Sequence, residues 1–150
     1  MLKNSRILII DDDERIGDSL STVLKEEGYV VDVAKNGKEA IAMSYERFYN
    51  LAIIDWRLPD IQGTKLLGKL KETTPKMAKI MLTGFPSMSN AIDAVNNRAD
   101  CFLMKPVRME TLLEKIKELL QQQEAQKQFN EEKMVNYIET KAKMLTNINS

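Results

Sequence analysis

Five short apolar runs, rich in β-branched residues, recur along the first two thirds of the chain: Arg6 to Ile10, Tyr29 to Ala34, Leu51 to Ile54, Ala78 to Leu82 and Cys101 to Met104. Segments of helical period separate them. Ile16, Leu20, Val23 and Leu24 fall at three- and four-residue spacing, and Gly28 stops that helix. Ala40, Ile41, Ser44, Tyr45 and Phe48 mark a second helix, opened by Asn36-Gly37. Leu66, Leu67 and Leu70 mark a third, which must end before Pro75 because proline disfavours the helical conformation in the residue ahead of it. Ala91, Ile92 and Val95 mark a fourth, and Leu112, Leu113, Ile116, Leu119 and Leu120 a fifth. Strands this uniformly apolar are covered on both faces. The alternation therefore predicts an α/β fold, a doubly wound five-stranded parallel sheet with helices on both faces.

The punctuation changes after residue 106. All six glycines and all four prolines lie at or before Pro106, so the fifth helix is free to run on as an extended C-terminal helix. We divide the chain into a domain over 1–121 and a helical extension over 122–150. Beyond the polar stretch Gln121-Gln122-Gln123, Met134, Tyr137 or Ile138, Lys141, Met144 or Leu145, and Ile148 approximate a seven-residue repeat. About two heptads fit a coiled coil or a linker to an output domain, and equally a solvated helical tail.

Composition narrows the function by exclusion. Lys plus Arg and Asp plus Glu both number 22, so the basic excess of a direct nucleic-acid binder is missing. No apolar run near the start is long enough for a signal peptide or a membrane span. The single cysteine, Cys101, reads as a small strand residue and suits a cytoplasmic location. There is no histidine, which removes Ser-His-Asp catalysis, His-ligated zinc and any histidine phosphodonor within the chain.

In a doubly wound sheet, ligands bind beyond the carboxyl ends of the strands. After the first strand come Asp11, Asp12, Asp13 and Glu14; after the third, Asp55-Trp56-Arg57-Leu58-Pro59; after the fourth, Thr83-Gly84; after the fifth, Lys105-Pro106. Taken singly, each has an ordinary role. The acidic run can cap the first helix, Asp55 and Thr83 can form turns, and Lys105 can be a solvated lysine. Together they form a chemical set. Carboxylates held close repel and attract a divalent cation, and an oxygen-only donor set favours Mg²⁺. A neighbouring aspartate is then a nucleophile toward phosphorus, with an ammonium and a hydroxyl for the phosphoryl oxygens.

These blocks resemble the response-regulator receiver family of two-component signal transduction: Ile7-Leu8-Ile9-Ile10-Asp11-Asp12-Asp13, Asp55-Trp56-Arg57-Leu58-Pro59 with Gly63, Met81-Leu82-Thr83-Gly84, and Phe102-Leu103-Met104-Lys105-Pro106. The resemblance covers roughly residues 3–121. It implies a flavodoxin-like sheet of strand order 2-1-3-4-5 and a CheY-like switch in which Asp55 accepts a phosphoryl group from a sensor histidine kinase or phosphotransfer protein. It also implies Mg²⁺ bound by Asp12 and Asp55, by the Arg57 carbonyl, and by Asp11 through water; the three-aspartate run leaves Asp13 as an alternative to Asp12. Lys105 would form an ion pair, with a cis bond to Pro106, and Thr83 and Phe102 would be the switch pair. The output surface would be the fourth helix, fifth strand and fifth helix, acting on an effector protein. A homodimer through that surface or through the C-terminal helix is also open. Phe85, two residues beyond Thr83, is expected to slow loss of the phosphoryl group.

A competing reading is an enzyme, a Mg²⁺-dependent phosphatase with an aspartate nucleophile. Such enzymes place a second aspartate two residues after the nucleophile. Arg57 occupies that position after Asp55, whereas Asp13 fits it after Asp11. That reading leaves the Asp55 block without a role, and the receiver reading expects no substrate beyond the chain's own Asp55. The third option, a nucleotide-binding loop, fails for want of a glycine-rich phosphate motif.

Overall fold

Side chains alternate across a strand, so each apolar run supplies two faces, and both need cover. In the computed structural model, which describes residues 4–84 and 99–149, the strands supply both faces of one parallel sheet. Its strands are β1 (Arg6–Ile10), β2 (Val30–Ala34), β3 (Leu51–Asp55), β4 (Ala78–Thr83) and β5 (Cys101–Met104), in the order β2-β1-β3-β4-β5. The helices are α1 (Glu14–Glu26), α2 (Gly37–Glu46), α3 (Gly63–Leu67) and α4 (Met109–Asn149). On one face Ile7, Ile9, Ile53 and Ile80 pack with Leu20 and Leu24 of α1 and with Leu112, Ile116 and Leu120 of α4. On the other, Leu8, Ile10, Ile54 and Met81 pack with Ala40 of α2 and Leu66 and Leu67 of α3.

Local chemistry sets the helix ends. Asp13 caps α1, its carboxylate accepting the Arg15 N–H at 3.0 Å, and Gly28 leaves the helix at φ 95°, where a Cβ is disfavoured. Asn36 caps α2 by accepting the Glu39 N–H at 2.8 Å. α3 is shorter than the leucine spacing suggests. Its Lys69 N–H turns back to the Leu66 carbonyl, which ends the helix while Leu70 stays buried. The helix expected over Ala91, Ile92 and Val95, and Phe85, lie outside the described residues. Without a breaker after Pro106, α4 runs as one helix of 41 residues. It is still docked at Gln123, whose side chain bonds to Asn50 and Lys76 at the amino ends of β3 and β4.

Candidate phosphoryl-accepting site

The sheet order explains why the strand-end residues converge. β1 and β3 are adjacent and in register, Ile10 beside Ile54, so Asp11 and Asp55 leave the sheet side by side. β3 and β4 pair Asp55 with Leu82, which brings Thr83 to the same edge. β4 and β5 pair Thr83 with Met104, and the Lys105 N–H donates to the Thr83 carbonyl at 2.7 Å, fixing where the lysine leaves the sheet. β2, with no carboxylate at its carboxyl end, is an edge strand.

The side chains meet above those ends. Asp11, Asp12 and Asp55 each offer a carboxylate oxygen within 4.8 Å of the others. The Lys105 ammonium stands 3.2 Å from Asp55 Oδ1 and 3.7 Å from Asp11 Oδ2. Asp11 is buried, Asp55 half-buried and Asp12 exposed, so the cluster opens to solvent on the Asp12 side. Asp13 turns away to cap α1, which leaves Asp12 as the member of the acidic run that joins the cluster. Asp11 Oδ1 accepts the Asp13 N–H at 2.9 Å, tying the two roles together. The Arg57 N–H donates to Asp55 Oδ1 at 3.4 Å and keeps that peptide beside the cluster. The Lys105–Pro106 bond is cis.

Among the described residues three carboxylates face one ammonium, and the charge is unbalanced. Burial raises the Asp11 carboxyl above its ordinary range, and the Asp55 and Asp12 charges act in the same direction. The Asp13 N–H and Lys105 offset part of this. A hard divalent cation fits the residues present, since every donor is an oxygen and the excess charge is negative.

Thr83 is buried at the end of β4, on the sheet face of Met81. Phe102 pairs in register with Met81 and packs into the same core. The two therefore share one face of the sheet, although the segment 85–98 that follows Thr83 lies outside the described residues.

Two supports hold the loop that follows Asp55, and the Asp60 contact is the one that escapes sequence reading. Asp60 reaches across to α2, where Oδ1 accepts the Gly37 N–H and Oδ2 the Lys38 N–H, both at 2.9 Å. These bonds hold its carboxyl below the usual range and anchor the loop after Asp55. Gly37 is required there, because a Cβ would run into Ile61 Cγ2. Gly63 is the second. A Cβ on it would stand 2.7 Å from the Asp55 carbonyl oxygen, 2.8 Å from Met81 Cε and 3.0 Å from Trp56 Cα. The Gly63 N–H donates to the Trp56 carbonyl at 2.9 Å, closing the loop against its own start. Aspartate before a turn is too common for sequence to reveal the Asp60 contact, which spans 23 positions backwards. The Trp56 indole N–H is buried with no hydrogen-bond partner among the described residues.

Residues 7–117 match the family model described as response regulator receiver domain. A transcriptional regulatory protein of Bacillus subtilis, YkoG, is 31% identical over 121 residues, covering 81% of this chain and 53% of that protein. The chain spans about half the length of the curated relatives it matches. Among solved structures, a CheY-like response regulator receiver domain protein from Methanospirillum hungatei is 47% identical, with a TM-score of 0.78, over 81% of this chain and 98% of that one. A response regulator from Burkholderia pseudomallei, solved with a phosphorylated aspartic acid and a calcium ion, is 31% identical. Its TM-score is 0.68, over 73% of this chain and 64% of that one.

Proposed function

This chain belongs to the response regulator receiver domain family, and on that premise we propose that it is a signalling switch set by phosphorylation of Asp55. The observation that carries the reading is Lys105 Nζ bridging Asp55 and Asp11 beside the three-carboxylate cluster. An Asp55 carboxylate oxygen attacks the phosphorus of a phosphohistidine on a kinase or phosphotransfer protein. The O–P bond forms as the P–N bond breaks, and the departing imidazole takes its proton from solvent. Asp11, Asp12, Asp55 and the Arg57 carbonyl are the groups to hold Mg²⁺, which when bound neutralises charge on the phosphoryl oxygens. Lys105 pairs with one of those oxygens and the Thr83 hydroxyl donates to another.

Readout uses the shared sheet face of Thr83 and Phe102. Movement of the hydroxyl toward the phosphoryl group leaves room for the ring to turn inward, and the packing around β5 adjusts. Phosphorylation thereby biases two arrangements of one domain. The output surface, the fourth predicted helix with β5 and the start of α4, meets a downstream effector protein. We assign the receiver unit to 1–121 and the extension to 122–150, a division supported by the end of the family match at residue 117. A second copy of the chain is a further partner. No helix among the described residues is long and apolar enough to cross a membrane, and the reading assigns the protein to the cytoplasm.

Intact mass after incubation with acetyl phosphate and Mg²⁺ tests the chemistry. A single phosphoryl adduct on the wild type, missing without Mg²⁺ and from Asp55→Asn, is expected. No adduct, together with no change in Trp56 fluorescence on adding Mg²⁺ and beryllofluoride, would refute the switch.

A further inference from the structure

The carboxylates of the cluster and the Arg57 peptide are held in different ways. Asp11 and Asp55 leave adjacent strands that pair in register, and the Trp56 N–H still donates to the Leu82 carbonyl at 2.8 Å. Arg57 follows in the loop, where its N–H makes a long bond of 3.4 Å to Asp55 Oδ1. The loop is narrow. Arg57 and Gln62 face each other across an antiparallel bridge, and the Gly63 N–H donates to the Trp56 carbonyl at 2.9 Å. Asp60 lies at the tip.

There the loop meets the amino end of α2. A helix start leaves its first N–H groups without partners inside the helix. Asp60 accepts those of Gly37 and Lys38, both at 2.9 Å, and Asn36 accepts that of Glu39 at 2.8 Å. The tip is thereby bound to the segment that follows β2. The last residue of β2, Ala34, in turn accepts the Asp11 N–H at 3.0 Å. Chain and hydrogen bonds thus close a ring that runs from Asp11 through Ala34, Gly37, Asp60 and Arg57 to Asp55.

A closed ring matters most to an ion that tolerates little movement of its donors. Mg²⁺ demands near-octahedral geometry at short distances, whereas Ca²⁺ accepts irregular geometry and a varied number of oxygens. On the reading that Asp55 is phosphorylated at a Mg²⁺ site, we propose that Asp60 is a positioning residue that selects Mg²⁺ over Ca²⁺, by pinning the loop that carries Arg57 to the amino end of α2. Asp60 is exposed, and Ile61 beside it packs on the core. Asp60→Ala therefore releases the tip and leaves the loop on the domain.

Titrations of the full chain with Mg²⁺ and with Ca²⁺, followed by the fluorescence of Trp56, the chain's one tryptophan, test the assignment. Asp60→Ala should raise the Mg²⁺ dissociation constant by about tenfold, as loss of a group that orients a metal ligand commonly does, and the Ca²⁺ constant by much less. Asp60→Asn, which keeps one acceptor and the size of the side chain, should shift the ratio in the same direction. It carries the comparison if circular dichroism shows Asp60→Ala unfolded. An unchanged Mg²⁺ constant would overturn the proposal and leave the phosphoryl site standing. Equal losses for the two ions would overturn it as well, because removing one charge weakens both divalent cations alike. A wild type that binds neither ion, by fluorescence or by calorimetry, would overturn the metal reading and the proposal with it.

Discussion

Three glutamines in a row, Gln121, Gln122 and Gln123, read alike in sequence, and among the described residues only the third is docked. Its Nε2 donates to the Asn50 carbonyl at 2.8 Å and to the Lys76 carbonyl at 2.7 Å, and its Oε1 accepts from Asn50 Nδ2 at 3.0 Å. Asn50 is itself a junction. Its Oδ1 accepts the Arg6 N–H, its N–H donates to the Arg6 carbonyl, and its carbonyl also accepts the Ala78 N–H. Gln123→Ala removes all three contacts at once. The two Asn50 bonds are part-buried and contribute about 1 kcal/mol each, while the exposed bond to Lys76 adds little, for a total of about 2 kcal/mol. With a urea m-value of about 2 kcal/mol per molar for a domain of this size, the unfolding midpoint should fall by about 1 M. Gln122→Ala, one position away and exposed, should change stability by less than about 0.5 kcal/mol. Equal midpoints for the two variants, or an unchanged midpoint for Gln123→Ala, would refute the idea that α4 is fastened to the domain at this residue. A change in m instead would point to altered compactness of one of the states and not to lost bonds.

Gly63→Ala forces a methyl group onto the Asp55 carbonyl and the Trp56 backbone, neither of which can yield as a side-chain tip can. We expect a loss of about 2 kcal/mol, roughly 4–8 °C in Tm, and a slower gain of the phosphoryl adduct; an unchanged Tm would show that the loop moves freely. Tyr49 is fully buried, and its hydroxyl donates to Asp32 Oδ2 at 2.7 Å, an acceptor it shares with Arg6 and Arg47. Burial first, and then that carboxylate, push the Tyr49 pKa well above its ordinary value. A raised folded-state pKa stabilises the protonated form. The contribution is therefore complete below the unfolded pKa of about 10 and is lost as pH rises above it. Tyr49→Phe should cost about 1.5–3 kcal/mol at neutral pH through the lost bond to a charged acceptor. The gap to wild type should narrow in denaturant titrations above pH 10, and a gap independent of pH would contradict the assignment.

Periodicity and chemistry were legible in the chain alone. Runs such as Ile7 to Ile10 and Leu51 to Ile54 are apolar at every position, which only a strand covered on both sides tolerates, and the glycines and prolines mark where such runs must stop. Asp11, Asp12, Asp55, Thr83 and Lys105 stood out because each lies at or just past a strand's carboxyl end, and a parallel sheet gathers those ends at one edge. Contacts between segments distant in sequence were left to the tertiary structure. It separated Asp12, in the carboxylate cluster, from Asp13, on the α1 amino end, because one peptide step reverses the direction in which a side chain points. It selected Gln123 from three identical neighbours by rotating only that one onto Asn50 and Lys76. It gave Asp60 two N–H donors at the start of α2. Side-chain identity fixes which bonds a residue is able to make; the packing of distant segments fixes which of them it makes.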